Sequence, residues 1–306
     1  YQNIGYDAIN IGSYELLSGL EFLKSVDEKC SIPFLSANLK DAETGELLFE
    51  PYIIIERNGL SVGVIGVTNM KPDTLKSVEA TDFVQAGNEI INKIKNKVDL
   101  IAIMANVNRK DQQELSNSFS DADFIFTSGS TNMTRKNSPQ KESGPYIYSF
   151  GKQGKYLSVL RTNIKNSNQQ LVDVSSHQNK IKSINKRFDR LQKKDPDKSL
   201  EEIYSNQANV LRLIDQYRQD LAKAEKSIEE AVNTLNFETI ALSRAVKDDK
   251  DVLAFVDQSL ETCNRLNKSV KKNKNDSDSH KGHNHGPKSS KNKIKNKKPF
   301  TNKEKK

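Results

Sequence analysis

The chain is poor in the side chains that most metal and redox sites require. It has two Cys in 306 residues, Cys30 and Cys263. They form neither CxxC nor CxxCH, which removes a thiolate zinc site and c-type haem attachment. One disulfide stays open, and ordinary cysteine burial makes two buried free thiols the plainer expectation. There are four His, and none precedes His177. No apolar run reaches the roughly 18–20 residues of a membrane helix, and no signal-peptide pattern is seen. Position 1 is Tyr, inside what reads as folded sequence, so a fragment or a processed chain is expected. Apolar residues make up 35% of the chain and the mean hydropathy is −0.72. An ordinary globular domain holds roughly 45–50%, so solvated segments should accompany a packed core.

Charge is unevenly spread. The net charge is +8, yet residues 271–306 hold 13 Lys against three acids, Asp276, Asp278 and Glu304. Residues 1–270 therefore carry 35 basic and 37 acidic groups. This argues against a basic nucleic-acid-binding fold and leaves a polybasic tail. Through charge alone the tail could meet nucleic acid, an anionic membrane or an acidic polymer. Phe300 is its lone aromatic, so base stacking is not indicated, and a solubilising tail is the plainer expectation. His280, His283 and His285 lie within six residues of the tail and are candidate ligands for Zn²⁺, Ni²⁺ or Cu²⁺. Ordering a flexible segment weakens such a site, so a solvated linker is expected. His177 has no partner in sight and no assigned role.

Three zones follow. In residues 1–175, short apolar runs alternate with helical patterns. Tyr14–Val26 spaces Leu16, Leu17, Leu20, Phe22 and Leu23 at helical intervals, and Ile32–Leu35 reads as a short strand. Tyr52–Glu56 and Leu60–Thr68 flank Asn58-Gly59, a hairpin signal. Thr81–Lys97 predicts an amphipathic helix, and the apolar run Val98–Met104 a strand buried on both faces. Asp111–Phe119 reads as helix. Asp123–Thr127, Tyr146–Phe150 and Tyr156–Ile164 read as strands, and 128–144 as a polar loop. The mixture predicts an α/β fold with a layered sheet.

Residues 176–270 read as a helical hairpin or coiled-coil region. Ile181, Ile184, Phe188 and Leu191 step by three and four until Asp195-Pro196-Asp197 interrupts. Ser199 and Glu202 have capping-box spacing. A heptad series then runs through Ile203, Val210, Ile214, Tyr217, Leu221, Ala224, Ile228, Ala231 and Leu235. A last helix, about Asp249–Val270, lines up Val252, Phe255, Val256, Leu260, Cys263 and Leu266. Packing of these helices against each other or against the first zone is one expectation. A protein partner, or self-association through 200–235, is the other. Residues 271–306 are expected to be a disordered Lys-rich tail.

Several segments carry a resemblance, in order along the chain. Tyr6, Asp7, Ala8, Gly12, Glu15 and Gly19 match a segment reading YDA, then GNHEFD, then Gly. Ile32–Leu39 is similar to FPFLSANL, Val62–Thr68 to VGIIGLTT, Val98–Met104 to VDLIIVLSH, and Gly151–Leu157 to GxYGKYLG. Over roughly 5–165 the chain thus resembles the 5′-nucleotidase branch of the calcineurin-like metallophosphoesterases. Its first strands would be missing, since the family's earlier Asp-x-His motif would precede Tyr1. Asn233–Val252 also resembles a segment of bacterial nucleotidase-like proteins, without the haem motif that follows in some of them.

The resemblance implies loops at strand carboxyl ends that hold two metals, which activate water and stabilise the transferring phosphoryl group. It also implies where ligands are lost. Gly12-Ser13-Tyr14-Glu15 stands where the family has Gly-Asn-His-Glu, so Ser13 replaces a ligand Asn and Tyr14 the His that assists the leaving group. Ala105-Asn106-Val107-Asn108 stands for Ser-His-x-Gly, so Asn106 replaces a ligand His. Ser128-Gly129-Ser130-Thr131-Asn132 stands for Gly-Gly-His-x-His, with Ser130 and Asn132 at the His positions. A neutral Asn does not replace several imidazoles. The expectation is a non-catalytic binding or assembly module with no cofactor, a divalent metal entering only if an altered site is active. Glu15, Asn106 and Asp7 would then serve as loop and cap hydrogen-bonding groups. The alternatives are a phosphoester or 5′-nucleotide hydrolase with an altered site, and a coiled-coil tether with a polybasic tail. The resemblance further implies a periplasmic or cell-surface location.

Overall fold

A computed structural model describes residues 1–277 except 136–139, 141–143, 152–153 and 167–168, with side chains as far as 267. His280, His283, His285 and the remainder of the Lys-rich tail lie outside the described residues. The chain divides after Lys247 into two compact units.

The first unit contains strands β1 (Ile9–Asn10), β2 (Phe34–Leu35), β3 (Leu39–Asp41), β4 (Tyr52–Arg57), β5 (Leu60–Thr68), β6 (Val78–Ala80), β7 (Leu100–Asn106), β8 (Phe124–Ser128), β9 (Tyr146–Ser149), β10 (Tyr156–Asn163), β11 (Leu171–Asp173) and β12 (Asn233–Ala241). Its helices are α1 (Leu20–Asp27), α2 (Phe83–Ile94), α3 (Leu115–Ser118), α4 (Val174–Gln192), α5 (Leu200–Ile203) and α6 (Ala208–Glu229). The second unit contains α7 (Lys250–Ser277). The fold is α/β, as the residue pattern predicts.

The central sheet has the order β4-β5-β7-β8-β9, with β4 antiparallel to β5 and the rest parallel. The hairpin at its edge turns where expected. Asn58 and Gly59 have φ of 53° and 78°, the left-handed pair of a type I′ turn. Alternation along the strands builds two cores. Ile65, Val67, Ile101, Ile103, Ala105 and Ile125 pack with Ile91 and Ile94 of α2 and Leu115 of α3. Leu100, Ala102, Phe124 and Tyr148 point the other way, onto Leu235 and Phe237 of β12. Beside them a two-stranded β1-β2 sheet passes close to the central sheet. A Cβ on Gly66 would lie 2.8 Å from the Leu35 carbonyl oxygen and 2.5 Å from Asn10 Oδ1, so only Gly permits that approach.

The second core shows where patterning misleads. Residues 233–241 fall in the expected helical zone, and Leu235 ends the heptad series. In the structure they form β12, the middle strand of a sheet with the order β10-β12-β11, antiparallel to β10 and parallel to β11. A 3,4 spacing of apolar residues runs straight into strand alternation here, because Leu235 satisfies both periods and Phe237, two residues on, continues only the strand one. Strands β3, β6 and β11 are also too short for period to reveal.

The heptad seam is a packed face within the chain. Ile214 and Ala224 are buried, and α6 lies along α4. Tyr217 meets Phe188 edge to face at 6.0 Å, and its hydroxyl accepts a hydrogen bond from Arg187. Lys180 pairs with Asp220 at 3.3 Å. The capping box forms: Ser199 Oγ accepts the Glu202 N–H while Glu202 accepts the Ser199 N–H at 2.8 Å. Both cysteines are free thiols. Cys30 is half-buried, whereas Cys263 is exposed rather than buried as cysteine statistics suggest. It sits on α7, the one element of its unit among the described residues.

Candidate functional site

Parallel strands in register place their last residues side by side. Thr68 of β5 is level with Asn106 of β7, and Asn106 with Ser128 of β8. All three sit at strand carboxyl ends, the edge where α/β sheets present functional loops. The loop after β1 reaches the same edge. The Ser13 N–H donates to Asn106 Oδ1 at 3.1 Å. Gly12 makes this contact possible, since a Cβ there would lie 2.6 Å from Asn106 Cγ.

Asn106 is the hub. It is buried, and its Nδ2 donates to Ser128 Oγ at 2.8 Å. Its Oδ1 also faces the Thr68 hydroxyl at 3.4 Å, and that hydroxyl donates to the Asn106 carbonyl at 2.9 Å. Below it, buried Asn38 accepts from the Thr68 N–H and donates to the Thr68 and Thr81 carbonyls. Above it, Asn69 Oδ1 accepts the Asn108 N–H, and both Asn69 and Asn108 donate to Asp111. The edge is thus an amide and hydroxyl network in which Asn38, Thr68, Asn106 and Ser128 each have a partner, while Asn10 Oδ1, at the end of β1 beside it, is buried without one.

The candidates from sequence divide into two sets. Ser13 and Asn106 touch directly. Glu15 lies one turn further on, its carboxylate accepting the Gly12 N–H at 3.0 Å, and Tyr14 is exposed. Ser130 and Asn132 sit beyond Ser128, where the Asn132 N–H donates to Ser130 Oγ at 3.3 Å and Ser149 Oγ donates to the Asn132 carbonyl. Asp7 is apart from the hub and pairs with Arg57 at the end of β4. Thr68, Ser128 and Asn38 are the residues that motif reading passes over. For Thr68 and Ser128 the signal is a polar residue at the last position of an apolar strand, meaningful only once the register is known. Among the described residues no three His, Cys, Asp or Glu come together as a metal would need.

A separate cleft of about 720 Å³ opens between β11 and the helices α4 and α6. His177, Lys180, Lys223 and Lys226 line it with Asp173 and Glu230. Most of this charge is internally matched. Asp173 caps α4 by accepting the Ser175 and Ser176 N–H groups, and Lys226 faces Glu230 at 3.6 Å.

No protein-family model matches the chain. It is 35% identical over 100 residues to a 5′-nucleotidase of Vibrio cholerae, covering 31% of this chain and 18% of that protein. It is 24% identical over 204 residues to a 5′-nucleotidase of Vibrio vulnificus, covering 55% of this chain and 37% of that protein. The chain therefore spans well under half the length of these relatives. A solved putative 5′-nucleotidase from Staphylococcus aureus superposes with a TM-score of 0.47 at 17% identity, covering 54% of this chain and 36% of that one. Over the aligned part, this chain is similar to proteins named 5′-nucleotidase.

Proposed function

We propose that this chain is a nucleotidase-like protein that binds or assembles rather than hydrolyses. The observation that supports this is the state of Asn106. It stands where the resemblance places a metal-ligand His, yet both ends of its amide are engaged, one by the Ser13 N–H and the other by Ser128. Its Oδ1 already accepts the Ser13 N–H at 3.1 Å, and as a neutral amide oxygen it brings no charge to a pair of divalent cations. The Glu15 carboxylate is turned back on the Gly12 N–H. This donor set does not fit a pair of divalent metals. The relatives' name, 5′-nucleotidase, supports the second reading, a phosphoester hydrolase with an altered site.

No helix among the described residues is long and apolar enough to cross a membrane. A periplasmic or cell-surface location, a partner on the helical zone and an anionic surface for the 271–306 tail belong to the same proposal. The test is elemental analysis of a chain lacking 271–306, so that the tail His do not contribute, with hydrolysis assays on a generic phosphodiester and a nucleotide in added Mn²⁺. Substoichiometric metal without turnover is the expected result. Stoichiometric metal with turnover, lost on Asn106→Ala, would favour the hydrolase.

A further inference from the structure

The central sheet and the β10-β12-β11 sheet leave a slot where they pack. Phe126 of β8, Tyr148 of β9, Phe150, Ser158 and Leu160 of β10 and Phe237 of β12 line about 230 Å³ of space. Its rings lie within about 30° of parallel. Tyr148 is 25° from the plane of Phe237 and 28° from that of Phe126, and Phe126 is 31° from Phe150. The ring centroids of these pairs are 4.6, 6.2 and 5.6 Å apart. Phe150 is the exposed member of the set, at 36%.

The hydroxyls here are unmatched. Among the described residues three buried side-chain polar atoms lack a hydrogen-bond partner, and two of them belong to this region. One is the hydroxyl of Tyr148, which is fully buried and lines the slot. The other is the hydroxyl of Thr239. Thr239 is level with Ser158 across the β10–β12 ladder, and hence on the same face of that sheet. Ser158 adds a third hydroxyl to the lining. A buried polar group without a partner is rare in a native fold and calls for one.

Size and charge choose the occupant. An apolar cavity of about 150 Å³ takes up benzene, and pockets for drug-sized ligands start near ~300 Å³. This slot falls between them, which means one ring or two fused rings. Among the described residues no charged side chain lines it, so an ionised guest would lose its hydration with nothing in return. Near-parallel ring walls favour a flat aromatic guest in offset stacking. Unmatched hydroxyls favour a guest that carries a hydrogen-bonding atom.

We propose that this slot binds a small, neutral heteroaromatic compound of one or two fused rings, stacked on its aromatic lining and hydrogen-bonded through the hydroxyls of Tyr148, Ser158 and Thr239. The slot shares no residue with the strand-edge network, and its occupancy does not depend on whether that edge hydrolyses anything.

Equilibrium dialysis of the full chain against quinoline and against naphthalene tests it. The two probes have the same shape, and only quinoline has a ring nitrogen that accepts a hydrogen bond. Quinoline should saturate at one molecule per chain, with a Kd at or below about 1 mM. Phe150→Ala should weaken both probes by about threefold or more, through lost ring contact. A variant combining Tyr148→Phe, Ser158→Ala and Thr239→Val should weaken quinoline by roughly three- to tenfold and leave naphthalene within about twofold. Its melt should be no lower than the parent's, because the two buried hydroxyls that it deletes have no partner. Naphthalene retained at parental affinity shows that the slot keeps its shape. The absence of saturable quinoline, or quinoline indifferent to Phe150→Ala, would overturn the proposal. So would a combined variant that binds quinoline as the parent does, or that loses both probes equally.

Discussion

Asn106 and Tyr148 are both buried, with opposite hydrogen-bonding states. Asn106 holds the β1 loop to the strand edge through one short amide. In Asn106→Ala the Ser13 N–H and the Ser128 hydroxyl lose their partner, which should cost about 1–3 kcal/mol, read as a shift in the urea midpoint. Tyr148 is the opposite case. It is fully buried, stacked on Phe237 at 4.6 Å, and its hydroxyl finds no hydrogen-bond partner. Tyr148→Phe should therefore be neutral or stabilising by up to about 1 kcal/mol. Burial pushes the Tyr148 phenol up, with the Asp173 and Tyr146 charges adding to it. Burial, and then Asp173, push the Tyr146 phenol up to about 12. An unfolded Tyr ionises near pH ~10. The stability that these neutral phenols confer is thus complete below that pH and lost as pH rises through the folded value. Absorbance at 295 nm should show these two Tyr titrating late and together with unfolding. Titration in step with the exposed Tyr would contradict the buried placement.

Elements formed where local chemistry and burial agree. The Asn58-Gly59 hairpin, α2 and the both-faces-buried β7 are legible because turn residues, a 3.6-residue stripe and a continuous apolar run each have one interpretation. The Ser199 and Glu202 cap is another such case. Ser199→Ala removes the acceptor for the Glu202 N–H, and should cost about 0.5–2 kcal/mol together with a local gain in amide exchange over Leu200–Ile203. The seam on α6 was legible as a seam but not as to its mate. Ile214, Tyr217 and Ala224 follow the same spacing whether they face a second chain or α4, and only the antiparallel return of the chain sets α4 against them.

For the whole molecule, the decisive feature is that the chain comes back. After the three helices α4, α5 and α6, β12 inserts between β10 and β11 and seats Leu235 and Phe237 on the central sheet. A chain ending at residue 232 should therefore expose the Leu100, Phe124 and Tyr148 face, bind a hydrophobic dye and lose its cooperative melt. A chain ending at Lys247, the limit of the first unit, should keep it. The sequence by itself determined the α/β class, the main strands of the central sheet, and the turns and caps, because these depend on residues near each other or on ordered motifs. Only the tertiary structure decided that a late strand completes the second core. It also decided that Thr68, Asn106 and Ser128 stand level, and that the Asn106 amide is engaged at both ends. Register and long-range pairing join positions dozens of residues apart, and no local period encodes which strand will lie beside which.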